Sequence, residues 1–292
     1  MRILTYITTE EDAGRAVRSV VPRRFRLGTH AFRRLKVEGG ILCDGMPVRA
    51  DTRLRAGQVL EIRLDNGETP GAALTPDDAL PPSFIRYADE DILIVSKGAP
   101  LATLPCGHIH TGTLREQLAA LLGQDAASFD YHPVNRLDKG TSGLMIVAKD
   151  AHIQHRLQAL LHTPEFIRTY QAVVEGCPDD DCGVIDAPIG KEDAASIRRI
   201  VTASGKPSVT HYRVLKRGKT RTLVELVLET GRTHQIRVHM ASIGCPVVGD
   251  FLYGTEIPQL PGRFALHASA LTLHHPMTGD WLSLTSPLPA SL

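Results

Sequence analysis

Strand-forming segments dominate the chain after residue 84, and short turns join most of them. Apolar or alternating runs predict strands at "DILIVSK", "LMIVAKD", "RTYQAVVEG", "VTHYRVLKRG" and "TRTLVELVLET", with two more around "HHPMTGDW". Apolar residues recur at helical spacing in 111–123, in 151–162 and in "THQIRVHMASIG", where Thr233 is the expected N-cap and Gly244 follows the end. Parallel sheets need long crossovers. The pattern therefore predicts an α+β domain with a mainly antiparallel mixed sheet flanked by helices.

Composition divides the chain into a basic and a mildly acidic part. Residues 65–83, "DNGETPGAALTPDDALPPS", lack periodicity and are typical of a linker. We predict a small α+β domain over 1–70, a linker over 71–83 and a larger domain over 84–292. Residues 1–64 carry 13 Lys/Arg and 7 Asp/Glu (net +6), and the remainder carries 20 and 25 (net −5). This asymmetry suggests a polyanion-binding module, although a solvated basic surface is an equal alternative.

Several classes of protein are disfavoured by what the sequence lacks. No apolar run approaches the roughly 20 residues that span a bilayer, and the N-terminus has no secretory h-region. Five scattered cysteines disfavour a disulfide framework and favour a reducing compartment. Cys177 and Cys182 lack a second pair for zinc, and the histidines at 108–110 and 274–275 lack acidic neighbours. We therefore expect a cytoplasmic protein that does not enter a membrane and does not require a metal. The sequence also lacks a nucleotide-binding fingerprint, so we expect no cofactor.

The segment "VNRLDKGTSGLMIVAKD", residues 134–150, places Asp138 between Arg136 and Lys139 just before a buried strand. One interpretation is a simple turn, because Asp, Gly, Thr and Ser all favour turns. The other is a nucleophile or general base, because the two neighbouring cations favour the ionised form of the carboxylate. The residues of this segment alone leave both interpretations open.

Two arginines bracket the start of the helix in "ETGRTHQIRVHMASIG". Arg232 lies on the unfavourable side of the helix dipole, which predicts that it meets an anion. Arg237, one turn in, could pair with a buried acid through a bidentate fork. His234 and His239 are five residues apart, which is poor spacing for two metal ligands, so we expect structural or RNA-contacting roles for them.

The segments together resemble the RluA-type pseudouridine synthases, which isomerise uridine in RNA. "RLDKGTSGLMIVAKD" is similar to the family's catalytic motif, "FIRTYQAVVEG" to its tyrosine strand, and "GRTHQIRVHMASIGCPVVGDFLYG" to its arginine helix and Asp-x-x-Tyr-Gly. "YADEDILIVSKGAPL", "GKPSVTHYRVL" and "LHASALTLHHPMTGDW" match in order, so the resemblance covers residues 84–287. Residues 15–64 resemble an S4-type RNA-binding domain. The chain departs from the family at Asn135 (usually His), at Arg168 (usually Lys) and in 96–108, which lacks the usual Lys-Pro.

The resemblance implies a role for each matching residue. Asp138 is the expected essential acid, which attacks C1′ or C6 of the uridine or removes a ribose proton. Tyr170, which shares a strand face with Arg168 and alone would be interpreted as a core residue, is expected to lie against the uracil and to help remove its C5 proton. Arg237 is expected to pair with Asp138. The expected RNA-binding residues are Arg136, Lys139, Arg232 and His234.

The resemblance also implies an RNA partner, no cofactor and a monomeric chain. Ribosomal RNA is favoured over transfer RNA, because S4-like domains accompany ribosomal RNA enzymes in this family. Two rival interpretations remain. One is a non-catalytic RNA-binding assembly factor with the same fold. The other is a hydrolase that uses Asp138 as a nucleophile on a small substrate, against which the basic N-terminal region argues.

Overall fold

The computed structural model describes residues 2–64, 84–105 and 109–292. The predicted linker at 71–83 lies outside these ranges, as does His108. The division into domains at this boundary therefore stays a prediction. Among the described residues, no helix has both the length and the apolar character needed to cross a membrane.

Residues 2–64 form a small antiparallel sheet covered by two helices. The strands are β1 (Arg2–Ile7), β2 (Ile41–Cys43), β3 (Met46–Pro47) and β4 (Val59–Leu64), in the order β1-β4-β2-β3. A 3₁₀ turn (Glu10–Asp12) precedes helices α1 (Val17–Arg24) and α2 (Thr29–Glu38). The predicted Asp-Gly hairpin is confirmed, because Asp44 and Gly45 have φ angles of 52° and 77°. Gly39, with a φ of 69°, ends α2 as expected.

The rest of the described chain contains a second sheet of ten strands, a separate hairpin and three helices. Its strands are β5 (Ile85–Ala88), β6 (Ile92–Lys97), β7 (His132–Pro133), β8 (Ser142–Ala148), β9 (Phe166–Glu175), β10 (Cys182–Asp186), β13 (Val209–Arg217), β14 (Arg221–Leu228), β15 (Leu266–His274) and β16 (Trp281–Thr285). A separate hairpin pairs β11 (Ile189–Lys191) with β12 (Arg199–Val201). The helices are α3 (Leu114–Leu121), α4 (Ala151–Leu160) and α5 (Gln235–Ser242).

The large sheet runs in the order β10-β13-β14-β9-β15-β8-β6-β5, with β16 on β15 and β7 on β8. All of its described pairs are antiparallel except β15 with β8. The predicted α+β class with a mainly antiparallel mixed sheet is therefore confirmed.

Both faces of the sheet are buried at β6 and β8. Ile92 and Ile94 pack on one face together with Ile153 of α4. The alternate residues Leu93 and Val95 pack on the other face, in a core that includes Leu118 of α3 and Ile236 of α5. Successive side chains of a strand point to opposite faces. Burial on both sides therefore explains why these strands are continuous apolar runs in the sequence.

The structure differs from the sequence predictions in two local details, the start of α5 and a set of short strands. Thr233 is not the N-cap of α5. That position belongs to His234, whose φ of 58° delays the helix by one residue. The Gln235 side chain fixes the start instead, because its Oε1 accepts the Arg232 N–H at 2.9 Å and its Nε2 donates to the Val209 carbonyl at 2.9 Å. The short strands β10 to β12 were not predicted.

The parallel contact between β8 and β15 depends on a glycine. Gly143 pairs with Ala268 and has a φ of 110°, and a Cβ at this position would lie 2.3 Å from the Ala268 carbonyl oxygen. Ala268 also pairs with Tyr170 of β9, so Gly143, Ala268 and Tyr170 form a row across three strands. This row brings the turn that carries Asp138 close to Tyr170.

We expect Gly143→Ala to lower the free energy of unfolding by about 3 kcal/mol or more, because it adds a backbone clash to a left-handed φ. Gly279→Ala is the matched control, since Gly279 has a φ of 78° but open space at its Cβ position. That variant should lose about 1–2 kcal/mol. Urea unfolding measures both, and equal losses would contradict a steric role for the close approach of the strands.

Candidate active site

Asp138 lies at the surface of a turn in which Leu137, Gly140 and Thr141 are buried. The Thr141 N–H donates to the Asp138 carbonyl at 3.0 Å and closes the turn. Leu137 is buried, and the Phe264 ring occupies the space beside Gly140, where a Cβ would lie 2.6 Å from it. The Asp138 side chain itself is 29% exposed. The buried part of the turn is therefore tightly packed, and the Asp138 carboxylate above it is accessible to solvent.

Arg237 connects Asp138 to a second carboxylate that is completely buried. Its Nε and Nη2 donate to the two oxygens of Asp250 at 2.6 and 2.8 Å, and its Nη1 donates to Asp138 Oδ2 at 3.1 Å. The side chain of Asp250 is 0% exposed and that of Arg237 is 3% exposed. The fork that the sequence predicted for Arg237 is confirmed with Asp250 as the acid, and the contact with Asp138 expected from the resemblance is also present.

Aromatic rings enclose the Arg237 guanidinium. Its central carbon lies 4.2 Å from the ring centre of Phe264, 5.0 Å from that of Tyr253 and 5.8 Å from that of Phe251. Cations are attracted to the faces of such rings within about 6 Å. The enclosure excludes water, so the ion pair with Asp250 is poorly screened and its geometry is tightly held.

Tyr170 lies in the core next to the site. It is 6% exposed, on the same strand face as the buried Arg168 and Ala172, as predicted. Burial raises the pKa of Tyr170, the Arg168 cation opposes this shift, and the Asp138 carboxylate adds to it. The phenol is therefore a protonated hydroxyl group at neutral pH.

Lys97 is a buried lysine beside the Asp138 turn that was not predicted from the sequence. It is 1% exposed, and its Nζ donates to the carbonyls of Leu101 at 2.7 Å, Gly98 at 3.0 Å and Lys139 at 3.5 Å. Burial lowers the pKa of Lys97 to about 7, while the Asp138 carboxylate opposes that shift. The side chain thus ties the loop after β6 to the residue that follows Asp138.

The expected RNA-binding residues differ in their surroundings. Arg136 and Lys139 are exposed on either side of Asp138, and the cation that contacts its carboxylate is Arg237 rather than either of them. Arg232 donates from Nε to the Pro207 carbonyl at 3.1 Å, so its described partner is neutral, and its assignment to RNA binding stays a prediction.

The imidazole of His234 faces the protein. Its Nδ1 lies 2.8 Å from the Tyr253 hydroxyl, and burial lowers its pKa, so the ring is neutral at pH 7. His239 is fully buried and bonds Thr210 Oγ1 and the Ala187 carbonyl, which agrees with the structural role allowed for it. The assignment of His234 to RNA binding stays a prediction.

Two of the three departures from the family pattern, Asn135 and Arg168, are buried and hydrogen-bonded to the backbone. Asn135 Oδ1 accepts the Ile146 N–H at 3.0 Å, which fastens the approach to the Asp138 turn onto β8. Arg168 donates from Nη2 to the Leu161 carbonyl at 3.1 Å. Both residues support the scaffold of the site.

One group of described residues, Asp89, Asp91 and His275, has donor atoms within 4.8 Å of one another, as a metal site would require. His275 Nδ1 accepts N–H groups from Met277 and Thr278 at 3.3 and 3.1 Å, which places the ring hydrogen on Nε2, 2.9 Å from the Asp89 carboxylate. A metal would need the Nε2 lone pair. The tautomer therefore favours a structural tie between the β5–β6 turn and the β15–β16 turn.

Comparison with known proteins places this arrangement in a family. A family model described as RNA pseudouridylate synthase matches residues 91–242, more than half of the chain, and the match contains Asp138, Tyr170 and Arg237. The chain belongs to the RNA pseudouridylate synthase family. The predicted family is confirmed, and the protein is a pseudouridine synthase, which is an isomerase.

Named relatives extend the match to most of the synthase. This chain is 38% identical over 262 residues to the uncharacterized RNA pseudouridine synthase YlyB of Bacillus subtilis, and the alignment covers 87% of this chain and 84% of YlyB. It is also 38% identical over 265 residues to the ribosomal large subunit pseudouridine synthase D of Pseudomonas aeruginosa, covering 86% and 81%. The solved structure of human RNA pseudouridylate synthase domain containing 1 has a TM-score of 0.57 at 26% identity and covers 75% of this chain and 86% of that one.

Three residues of the synthase site were not predicted from the sequence: Asp250, Tyr253 and Lys97. Asp250 and Tyr253 were visible as the Asp-x-x-Tyr-Gly that follows the arginine helix, but nothing in that spacing shows which cation the acid meets. Lys97 ends an apolar strand, and a lysine there normally indicates the start of a surface loop. Two of the carbonyls that bind it, those of Gly98 and Leu101, lie in the irregular loop after β6, and the third, that of Lys139, is distant in the sequence.

We expect Asp250→Asn to lower the free energy of unfolding of the synthase by about 3 kcal/mol or more, because it leaves the buried Arg237 without its main counter-charge. Asp138→Asn should cost less than about 1 kcal/mol, since the Asp138 side chain is 29% exposed. Urea unfolding at pH 7 measures both variants, which are isosteric with the wild type. Similar losses in the two variants would argue against Asp250 as the main partner of Arg237.

Lys97 should make the stability of the synthase depend on pH above neutrality. The unfolded chain keeps this lysine protonated to about pH 10.4, whereas its pKa in the folded protein is about 7. Between these values the unfolded state binds more protons, so this residue's contribution to stability rises with pH. The unfolding free energy of the wild type minus that of Lys97→Met should increase by up to about 1.4 kcal/mol per pH unit between pH 7 and 9. A difference that stays flat would contradict the lowered pKa.

Proposed function

We propose that this synthase converts uridine to pseudouridine in the ribosomal RNA of the large subunit, with Asp138 as its essential acid. The observation that carries the assignment of Asp138 is its position: a partly exposed carboxylate held by Arg237 beside the buried Tyr170. The choice of RNA is supported by the relatives named ribosomal large subunit pseudouridine synthase D.

The reaction breaks the bond between N1 of uracil and C1′, turns the base and forms a bond between C5 and C1′. The proton on C5 is lost and N1 gains one, so no redox change or external group is needed. Asp138 can act by attacking C1′, by attacking C6 or by removing a ribose proton. Each route uses the Asp138 carboxylate, and the hydrogen bond from Arg237 holds that carboxylate in one position. Arg237 donates to Oδ2, which leaves Oδ1 for the substrate.

Tyr170 would contact the uracil from the core side of the site. Its raised pKa keeps the hydroxyl group protonated. This favours packing against the base and donation of a hydrogen bond over service as a phenolate. A proton taken from C5 would then pass through the hydroxyl group and would not remain on it.

Binding of the RNA backbone would use cations around the site and in the N-terminal region. Arg136 and Lys139 flank Asp138 on the surface. Extruding a base costs a few kcal/mol, and contacts of this kind compensate for it. Residues 2–64, proposed as an S4-like RNA-binding domain, expose further cations: Arg15, Arg18, Arg23, Arg26, Arg33, Arg34 and Lys36. Binding through such residues weakens as salt rises.

Tritium release from RNA labelled at uridine C5 tests the proposal. The substrates are unmodified transcripts of large-subunit ribosomal RNA and, separately, of transfer RNAs. We expect release from the ribosomal transcript by the wild type, and a loss of at least about 1,000-fold in Asp138→Ala, as when an essential nucleophile is removed. RNA affinity should change by less than threefold. Asp179→Asn, an exposed acid in the loop after β9, is the control and should retain wild-type activity.

Each other outcome has a definite meaning. Near-wild-type release by Asp138→Ala would reject Asp138 as the essential acid. Release from transfer RNA but not from the ribosomal transcript would overturn the substrate class. Binding without release from either RNA by the wild type would overturn both of these RNAs as the substrate.

A further inference from the structure

Phe251 is an exposed aromatic residue on the border of the Asp138 site. It is 51% exposed. Its ring centre lies 5.8 Å from the guanidinium carbon of Arg237, whose Nη1 donates to Asp138. On the inner side it meets Phe264, with ring centroids 6.4 Å apart. Phe251 therefore continues the aromatic enclosure of Arg237 outward to the solvent.

The backbone that carries Phe251 is held in place by Asp250. One carboxylate oxygen of Asp250 accepts the N–H groups of Leu252 and Tyr253 at 3.0 and 3.2 Å, and the Asp250 carbonyl accepts the Gly254 N–H at 2.8 Å. Because Asp250 is fully buried and also binds Arg237, the turn cannot move independently of the site. The ring is thus presented by a rigid turn, which lowers the entropy lost when a flat ligand stacks on it.

Exposure alone does not indicate a function, since single apolar residues are common on protein surfaces. Trp281 is similarly exposed, at 55%, but its ring packs on His274, with centroids 3.8 Å apart. Phe251 differs because it borders the carboxylate at which an RNA uridine is to react. Extrusion of that uridine leaves neighbouring bases without a stacking partner, and aromatic side chains bind such bases.

We propose that Phe251 is a stacking platform for an unpaired RNA base next to the uridine that the enzyme isomerises. The inference rests on the proposed function, because it places the reacting uridine at Asp138. Phe251 would act on binding of the RNA and not on the bond-breaking steps.

The test compares Phe251→Ala, Phe251→Leu and Phe251→Trp with the wild type on the ribosomal transcript of the tritium assay. Loss of a base–aromatic stack should raise KM between about 5-fold and 150-fold in the Ala and Leu variants. Phe264 and Tyr253 lie closer to the Arg237 guanidinium than Phe251 does, so they keep it enclosed without this ring. We therefore expect kcat to change less than KM and the urea midpoint to change little, and Phe251→Trp to bind as well as the wild type or better. Trp281→Ala is the control of matched exposure and should leave KM unchanged.

The stacked base is identified with transcripts of the modified region that carry a single abasic nucleotide at each position flanking the target uridine. At one position the missing base should raise KM for the wild type but not for Phe251→Ala, since both changes remove the same stack. Wild-type KM in Phe251→Leu, or equal costs of every abasic site in both enzymes, would overturn the inference. Absence of wild-type tritium release from the ribosomal transcript would instead refute the proposed substrate. The same comparison would then use the transfer RNA transcripts, where wild-type KM in Phe251→Ala and Phe251→Leu would likewise overturn the stacking role.

Discussion

The buried ion pair between Arg237 and Asp250 is the interaction on which the site depends. Removing two charges from water is costly and is offset only by close geometry and additional hydrogen bonds. Asp250 meets this requirement, because it accepts two bonds from the guanidinium and two from backbone N–H groups. With Nε and Nη2 engaged, the guanidinium has one orientation, and Nη1 points to Asp138. The surface acid is therefore positioned by a pair that the solvent does not reach.

The sheet supplies the second constraint by bringing distant segments together. Asp138 precedes β8, Tyr170 lies within β9, and β15 separates these two strands. The Gly143–Ala268–Tyr170 row sets how closely the strands approach. The pairing of β9 with β15 shifts register between Ala268 and Ala270, next to that row. Such irregularities redirect side chains and are common beside active sites.

The sequence predicted well what depends on local pattern. The apolar runs of β6 and β8 and the amphipathic spacing of α3 and α4 follow from which faces are buried, so periodicity revealed them. The fork of Arg237 was predicted because a guanidinium can bind a carboxylate through two parallel hydrogen bonds. The identity of that acid was not predicted, because Asp250 lies in an irregular turn. His234 adopts a left-handed φ that its residue type does not demand, which misplaced the helix start. The burial of Lys97 was not predicted because it involves a contact with the carbonyl of residue 139, which is distant in the sequence.

The arrangement of charge explains why a carboxylate stands between two cations. Asp138, Arg237 and Asp250 together carry a net charge of −1, and the uncompensated charge lies at the exposed end. A phosphate about 7 Å from Asp138 would be repelled by about 0.6–2.4 kcal/mol at an effective dielectric constant of 20 to 80. Arg136 and Lys139 are exposed beside that carboxylate and can cancel the repulsion without neutralising Asp138 by direct contact. Arg237 orients the acid from within. In the proposed function, the flanking cations would favour the approach of the RNA backbone while the Arg237 contact positions the carboxylate that reacts.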